Sequence, residues 1–105
     1  MSLGSIYIVG AGRVGTALGL LAQRAGLDLT GLWTRGRESA RRVSQTVGRE
    51  CSWGPLPDAI GRARIVIVSV SDPEVQAVAG ALLDGGLLRG CEVLLHCGGA
   101  RAARE

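Results

Sequence analysis

The chain contains no lysine and no phenylalanine, and only one methionine, one histidine and one tyrosine. Tyr7, Trp33 and Trp53 are its only aromatic residues and give no platform for stacking bases, and the arginines are mostly scattered. A net charge of +3 therefore does not make it a nucleic-acid binder. All twelve basic residues are arginine, the bias of a GC-rich genome, so arginine count alone carries little meaning. Long apolar runs are missing too. The longest, Ile65 to Val68 with Val70 beyond Ser69, falls far short of the roughly 20 residues a membrane span requires. At the amino terminus no basic segment precedes an apolar one and no small-residue cleavage site follows, so a cytoplasmic location is expected. Cys51, Cys91 and Cys97 are odd in number, with neither CxxC spacing nor a histidine array, which disfavours a disulfide framework and a zinc site.

What is present is a core and a set of turns. Hydrophobic residues make up 47% against 20% charged, and 105 residues suit one compact domain covering residues 1–105. The 17 glycines have no three-residue period, so collagen is excluded, and they gather around Gly10 to Gly15 and at His96-Cys97-Gly98-Gly99. Met1–Ser5 reads as a flexible lead-in to an apolar strand, IYIVG. A helix follows, with Val14, Ala17, Leu18, Leu21, Ala22 and Ala25 at helical spacing and Gly26 as its stop. Leu29–Thr34 reads as a second strand, and Glu38–Val47 as a second helix that buries Ala40, Val43 and Val47 and stops at Gly48. Glu50–Trp53 reads as a short strand, and Gly54-Pro55-Leu56-Pro57 as a turn into a brief helix at Asp58–Gly61. RIVIVSV has the composition of a central parallel strand covered on both faces. Asp72-Pro73-Glu74 opens a third helix, with Asp72 expected at the N-cap and Val75, Val78, Ala79 and Leu82 continuing at helical spacing. CEVLLHC reads as the last strand, at the sheet edge. This rhythm predicts an α/β fold, a doubly wound parallel sheet of Rossmann-like type with five strands in the order 3-2-1-4-5.

Ligands of such sheets bind at the carboxyl ends of the strands. There Gly10-Ala11-Gly12-Arg13-Val14-Gly15 matches GxGxxG directly after a strand and at the opening of a helix, the context that gives the motif physical meaning. The first glycine permits a tight turn, the second lets a pyrophosphate reach the backbone, and the third lets helix and sheet pack closely. At the end of the second strand, where an acid would bind the ribose hydroxyls of NAD, the chain reads Trp33-Thr34-Arg35-Gly36-Arg37. Thr34, Arg35 and Arg37 suit a 2′-phosphate, so NADP is the cofactor expected; otherwise both arginines belong to a solvated turn. Arg41 and Arg42 read as solvent-facing helix residues and are left unassigned. Ser71 is expected to contact a ribose or phosphate, and His96 to border the nicotinamide. For catalysis the preferred reading of His96 is a hydrogen-bonded strand-end residue and of Cys97 a small buried one, so no catalytic residue is assigned.

From IYIVGAGRVGTALGLLAQRAG through LWTRGRESARRV, IVIVSVSDPEV and LLHCGGA, the chain resembles the amino-terminal domain of a bacterial NADP-dependent oxidoreductase family. That family is similar to pyrroline-5-carboxylate reductases and 6-phosphogluconate dehydrogenases. The resemblance implies a cofactor domain followed by a helical domain that dimerises and helps close the active site. With the sequence read to Glu105 the helical domain is expected to be missing, and Cys97 and Gly98 stand where the family commonly carries small hydroxyl residues. The expectation is NADP(H) binding for hydride transfer to an unidentified small carbonyl, imine or hydroxy-acid substrate. Turnover by the chain alone is not expected, and a homo-oligomer or the missing helical domain would complete the site. The alternative is a module that binds or senses NADP(H) without chemistry.

Overall fold

The computed structural model describes residues 4–97. In chain order it contains β1 (Ser5–Val9), α1 (Arg13–Arg24), β2 (Asp28–Thr34), α2 (Arg37–Val47), β3 (Cys51–Trp53), a 3₁₀ turn (Asp58–Arg62), β4 (Ile65–Val68), α3 (Asp72–Asp84) and β5 (Val93–His96). The described strands form one parallel five-stranded sheet in the order β3-β2-β1-β4-β5, the expected doubly wound arrangement. Ser5 is the first residue of β1 rather than the end of a lead-in. Its hydroxyl donates to the Arg62 carbonyl at 3.3 Å and accepts from the Arg64 amide at 3.1 Å. Gly98, Gly99 and the tail beyond them lie outside the described residues.

Strand alternation divides the core between the two faces of the sheet. Ile6, Ile8, Leu29 and Leu32 face α1 and α2, where Ala22, Ala40, Val43 and Val47 are buried against them. Tyr7, Val9, Trp33, Val66 and Val68 face the other way, onto Val78 and Leu82 of α3 and Ile60 of the 3₁₀ turn. A bulge in β2 sets the register. Ile6 pairs with Leu29 but Tyr7 with Gly31, leaving Thr30 as the extra residue, and its hydroxyl donates to the Ile6 carbonyl at 2.9 Å. Tyr7 then lies over Gly31, where a Cβ would come within 2.7 Å of the ring, and its hydroxyl donates to the Leu32 carbonyl at 3.2 Å.

Two expectations are corrected. Strand β4 is central, as expected, but unequally covered on its two faces: Val66 and Val68 are buried, whereas Ile65 and Ile67, packed against the α1 side of the core, are half-buried. Helix α3 has Ser71, not Asp72, at its N-cap, with Asp72 as its first helical residue. The proline ring fits either frame, because both of the first two helical positions lack an intrahelical partner for the missing N–H.

Candidate functional site: a crevice at the carboxyl ends of the strands

All three helices begin at the carboxyl edge of the sheet, and none of the three starts carries a side-chain cap. Gly12 caps α1, Gly36 caps α2 and Ser71 caps α3, none of them through a side-chain hydrogen bond, and the positive ends of three helix dipoles meet there. The glycine loop is fixed from below. The amides of Gly10 and Ala11 both donate to the Trp33 carbonyl, at 2.7 and 3.0 Å, and the Ser69 amide donates to the Val9 carbonyl at 2.7 Å. Strand ends β1, β2 and β4 are thereby locked around one loop.

Three glycines of that loop have three different surroundings. Gly10 has φ +93°, and a Cβ there would run into the side chain of Val70 and lie 2.7 Å from the Ser69 carbonyl oxygen. A Cβ on Gly15 would lie 2.7 Å from the Gly10 carbonyl oxygen and 3.3 Å from Ile8, so this glycine sets the distance between α1 and the sheet. A Cβ on Gly12 would meet nothing within 4 Å. Packing accounts for Gly10 and Gly15; only Gly12 leaves exposed backbone facing open space.

That space consists of two cavities that meet at Gly12 and Thr34. The larger, about 520 Å³, lies between α1 and α2 and is lined by Ala11, Arg13, Thr16, Thr34, Ser39 and Arg42 among others. The smaller, about 300 Å³, lies between the ends of β2 and β4 and is lined by Gly10, Trp33, Arg35, Ser69, Ser71 and Glu74 among others. Trp33 is buried, and its indole N–H donates to the Gly54 carbonyl at 3.0 Å. Arg35 pairs with Glu74 across the smaller cavity, Nη2 to Oε2 at 3.0 Å.

Of the residues singled out in the sequence, Gly10, Ala11, Gly12, Arg13, Thr34, Arg35 and Ser71 line these two cavities. Gly15 is buried beneath them and Val14 is exposed on α1, lining neither. Arg37 lines a separate cavity of about 250 Å³ with Glu50, Cys51 and Trp53. His96 ends the exposed edge strand, opposite Val68, and lines none of the three cavities. The sequence reading missed Ser39, Arg42 and Glu74. Ser39, Arg42, Val43 and Thr46 recur at helical spacing beside the buried stripe of α2, which was the available signal for the first two. For Glu74 it was the S-x-x-E pattern of Ser71 to Glu74.

No helix among the described residues is long and apolar enough to cross a membrane, and no cluster of potential metal ligands occurs among them. The three cysteines are free, and burial pushes the Cys51 thiol up to about 11.

Comparison with known proteins agrees with this architecture. A family model described as a Rossmann-like domain matches residues 2–104. A crystal structure of a candidate NADP oxidoreductase from Bacteroides fragilis superposes with a TM-score of 0.62 at 30% identity, covering 90% of this chain and 36% of that one. A segment of 42 residues is 48% identical to glycerol-3-phosphate dehydrogenase [NAD(P)+] of Bradyrhizobium diazoefficiens, covering 40% of this chain and 13% of the dehydrogenase. The chain thus spans about a third of the solved relative's length, and the second match a smaller share of the dehydrogenase. It belongs to the Rossmann-like domain family and is similar to proteins named as oxidoreductases.

Proposed function

We propose that this chain is the NADP(H)-binding domain of an oxidoreductase that moves hydride between a nicotinamide and a small carbonyl, imine or hydroxy-acid substrate. The observation that carries the reading is the junction of the two cavities at Gly12 and Thr34, where bare backbone, an uncapped helix start and several arginines meet. A dinucleotide fits the chemistry of this junction. The pyrophosphate would lie over the loop from Gly10 to Gly15, reaching the backbone at Gly12 and the first amides of α1, with Arg13 beside it. Thr34 and Arg35 would take the 2′-phosphate, and Arg37, turned into a separate cavity, would add charge without contact. Arg42, in reach of the larger cavity with its guanidinium donating to the Ser39 hydroxyl at 3.4 Å, would add a second cation on the α2 side. Ser71 would meet the ribose or phosphate nearer β4, and His96 would border the nicotinamide.

The bound nicotinamide supplies the hydride chemistry; the residues named here hold and orient the cofactor. The end of β2 supports the choice of phosphate. A carboxylate after Trp33 would repel a 2′-phosphate, whereas Thr34 and Arg35 donate to it.

Titration of the full chain, followed by calorimetry or by quenching of Trp33, tests the proposal. A charged hydrogen bond contributes roughly 1.5–3 kcal/mol, so NADPH should bind at least about tenfold tighter than NADH. Arg35→Ala should remove most of that preference. Equal affinity for the two cofactors in the parent protein would refute the 2′-phosphate assignment.

A further inference from the structure

Glu74 occupies the third position of α3, three residues after the Ser71 cap, and the Glu74 amide donates to the Ser71 carbonyl at 2.9 Å. A glutamate at this position ordinarily turns back to the N-cap amide and completes a capping box. Here its carboxylate instead meets Arg35 at 3.0 Å, and the Ser71 hydroxyl makes no cap bond to α3. The pair joins the end of β2 to the start of α3 in the lining of the smaller cavity, which Gly10, Trp33 and Ser69 also line. Arg35 is thus held by an internal carboxylate at the mouth of the crevice.

We infer that Glu74 is a specificity-determining residue that competes with the cofactor's 2′-phosphate for Arg35; this rests on the NADP(H)-binding reading above. The side chains of Arg35 and Glu74 are 72% and 37% exposed, so solvent and salt weaken their attraction and a dianionic phosphate can displace the carboxylate. Displacement leaves a negative charge beside the incoming phosphate. Both effects penalise the phosphorylated cofactor more than NADH, which brings no dianion to Arg35. Glu74 therefore lowers the preference that Arg35 creates.

The test is a set of dissociation constants for NADPH, NADH and 2′,5′-ADP with the parent chain, Glu74→Gln, Arg35→Ala and the double variant. Glutamine keeps the size of the side chain and removes its charge. Glu74→Gln should raise the preference for NADPH over NADH by roughly three- to fivefold at low ionic strength and tighten 2′,5′-ADP in parallel. The gain should shrink near about 0.5 M salt, and when Arg35 is already alanine it should fall to the smaller part that direct repulsion between the carboxylate and the phosphate supplies. An unchanged or reduced preference in Glu74→Gln, with NADPH still bound, would overturn the competition while leaving the proposed function standing. Failure of the folded parent chain to bind any of the three probes would overturn both.

Discussion

The glycine loop separates two reasons for glycine that a sequence motif cannot distinguish. Gly10 and Gly15 are needed because their neighbours leave no room, so Gly10→Ala should destabilise the fold by about 1–3 kcal/mol through overpacking, with further backbone strain at its positive φ. A Cβ at Gly12 meets no atom within 4 Å, so Gly12→Val should leave the urea midpoint nearly unchanged while abolishing dinucleotide binding in calorimetry. A folded Gly12→Val variant with parent-like affinity would move the phosphates elsewhere. Cys51 makes an independent prediction. Its thiol ordinarily ionises near 9 and burial raises this to about 11 in the folded chain, so the unfolded chain loses its proton first. Its contribution to stability is complete below about pH 9 and is lost as pH rises toward about 11; buried Tyr7, also raised by desolvation, adds to the alkaline loss. Urea midpoints across that window should fall more steeply for the parent than for Cys51→Ala, and identical slopes would contradict the assignment. The loop itself was legible because GxGxxG is local. Glu74 was not read as part of the crevice, because the carboxylate reaches a partner on another element and leaves the local capping pattern unused.

Helices and strands were legible to the extent that local chemistry decided their ends. Gly48 stops α2 in the left-handed conformation, as its lack of a Cβ allows, and the β-branched run from Ile65 reads directly as β4. The strands read as RIVIVSV and CEVLLHC overran their ends where pairing, which is not local, decides, whereas β1 and β2 each begin one residue earlier than read. Only Ile65–Val68 and Val93–His96 pair, although the apolar patterns around them extend further. The bulge at Thr30 leaves only a weak sign in the sequence, the isolated Gly31 within the strand, over which the Tyr7 ring lies. Helix α3 gives a sharp test of element register. Leu82 is fully buried between α3 and the sheet, and its neighbour Leu83 is 66% exposed. Leu82→Ala should cost about 2–5 kcal/mol in urea unfolding, whereas Leu83→Ala should stay within about 0.5 kcal/mol. Comparable losses at the two positions would mean that α3 is rotated relative to the sheet.

Over the molecule as a whole, the two faces of the sheet are unequally covered, and the imbalance falls on one side. The flank of α1 that faces α2 carries Arg13, Thr16, Ala17 and Leu20, and its sheet side carries Gly15, Gly19 and Ala22. Helical geometry therefore turns Val14, Leu18 and Leu21 away from α2, toward β4 and β5. Val14 is 53% and Leu21 61% exposed. On the same face of the sheet Ile65 and Ile67 are half-buried, and their partners Val93 and Leu95 are exposed on β5, the edge strand among the described residues. These residues put exposed apolar side chains on the side of the molecule where β5 ends the sheet among the described residues, the combination that proteins in water ordinarily cover. A second copy of the chain meeting it through β5 and the α1 flank would cover both at once, so concentration-dependent self-association is expected in sedimentation velocity. Leu95→Arg places a charge on that surface, opposite Ile67, at an exposed position outside the buried core. It should shift the population toward monomer and leave the urea midpoint of the monomer within about 0.5 kcal/mol in stability terms. A parent chain that sediments as a monomer at high concentration, indistinguishable from Leu95→Arg, would mean that this apolar surface does not hold two copies together.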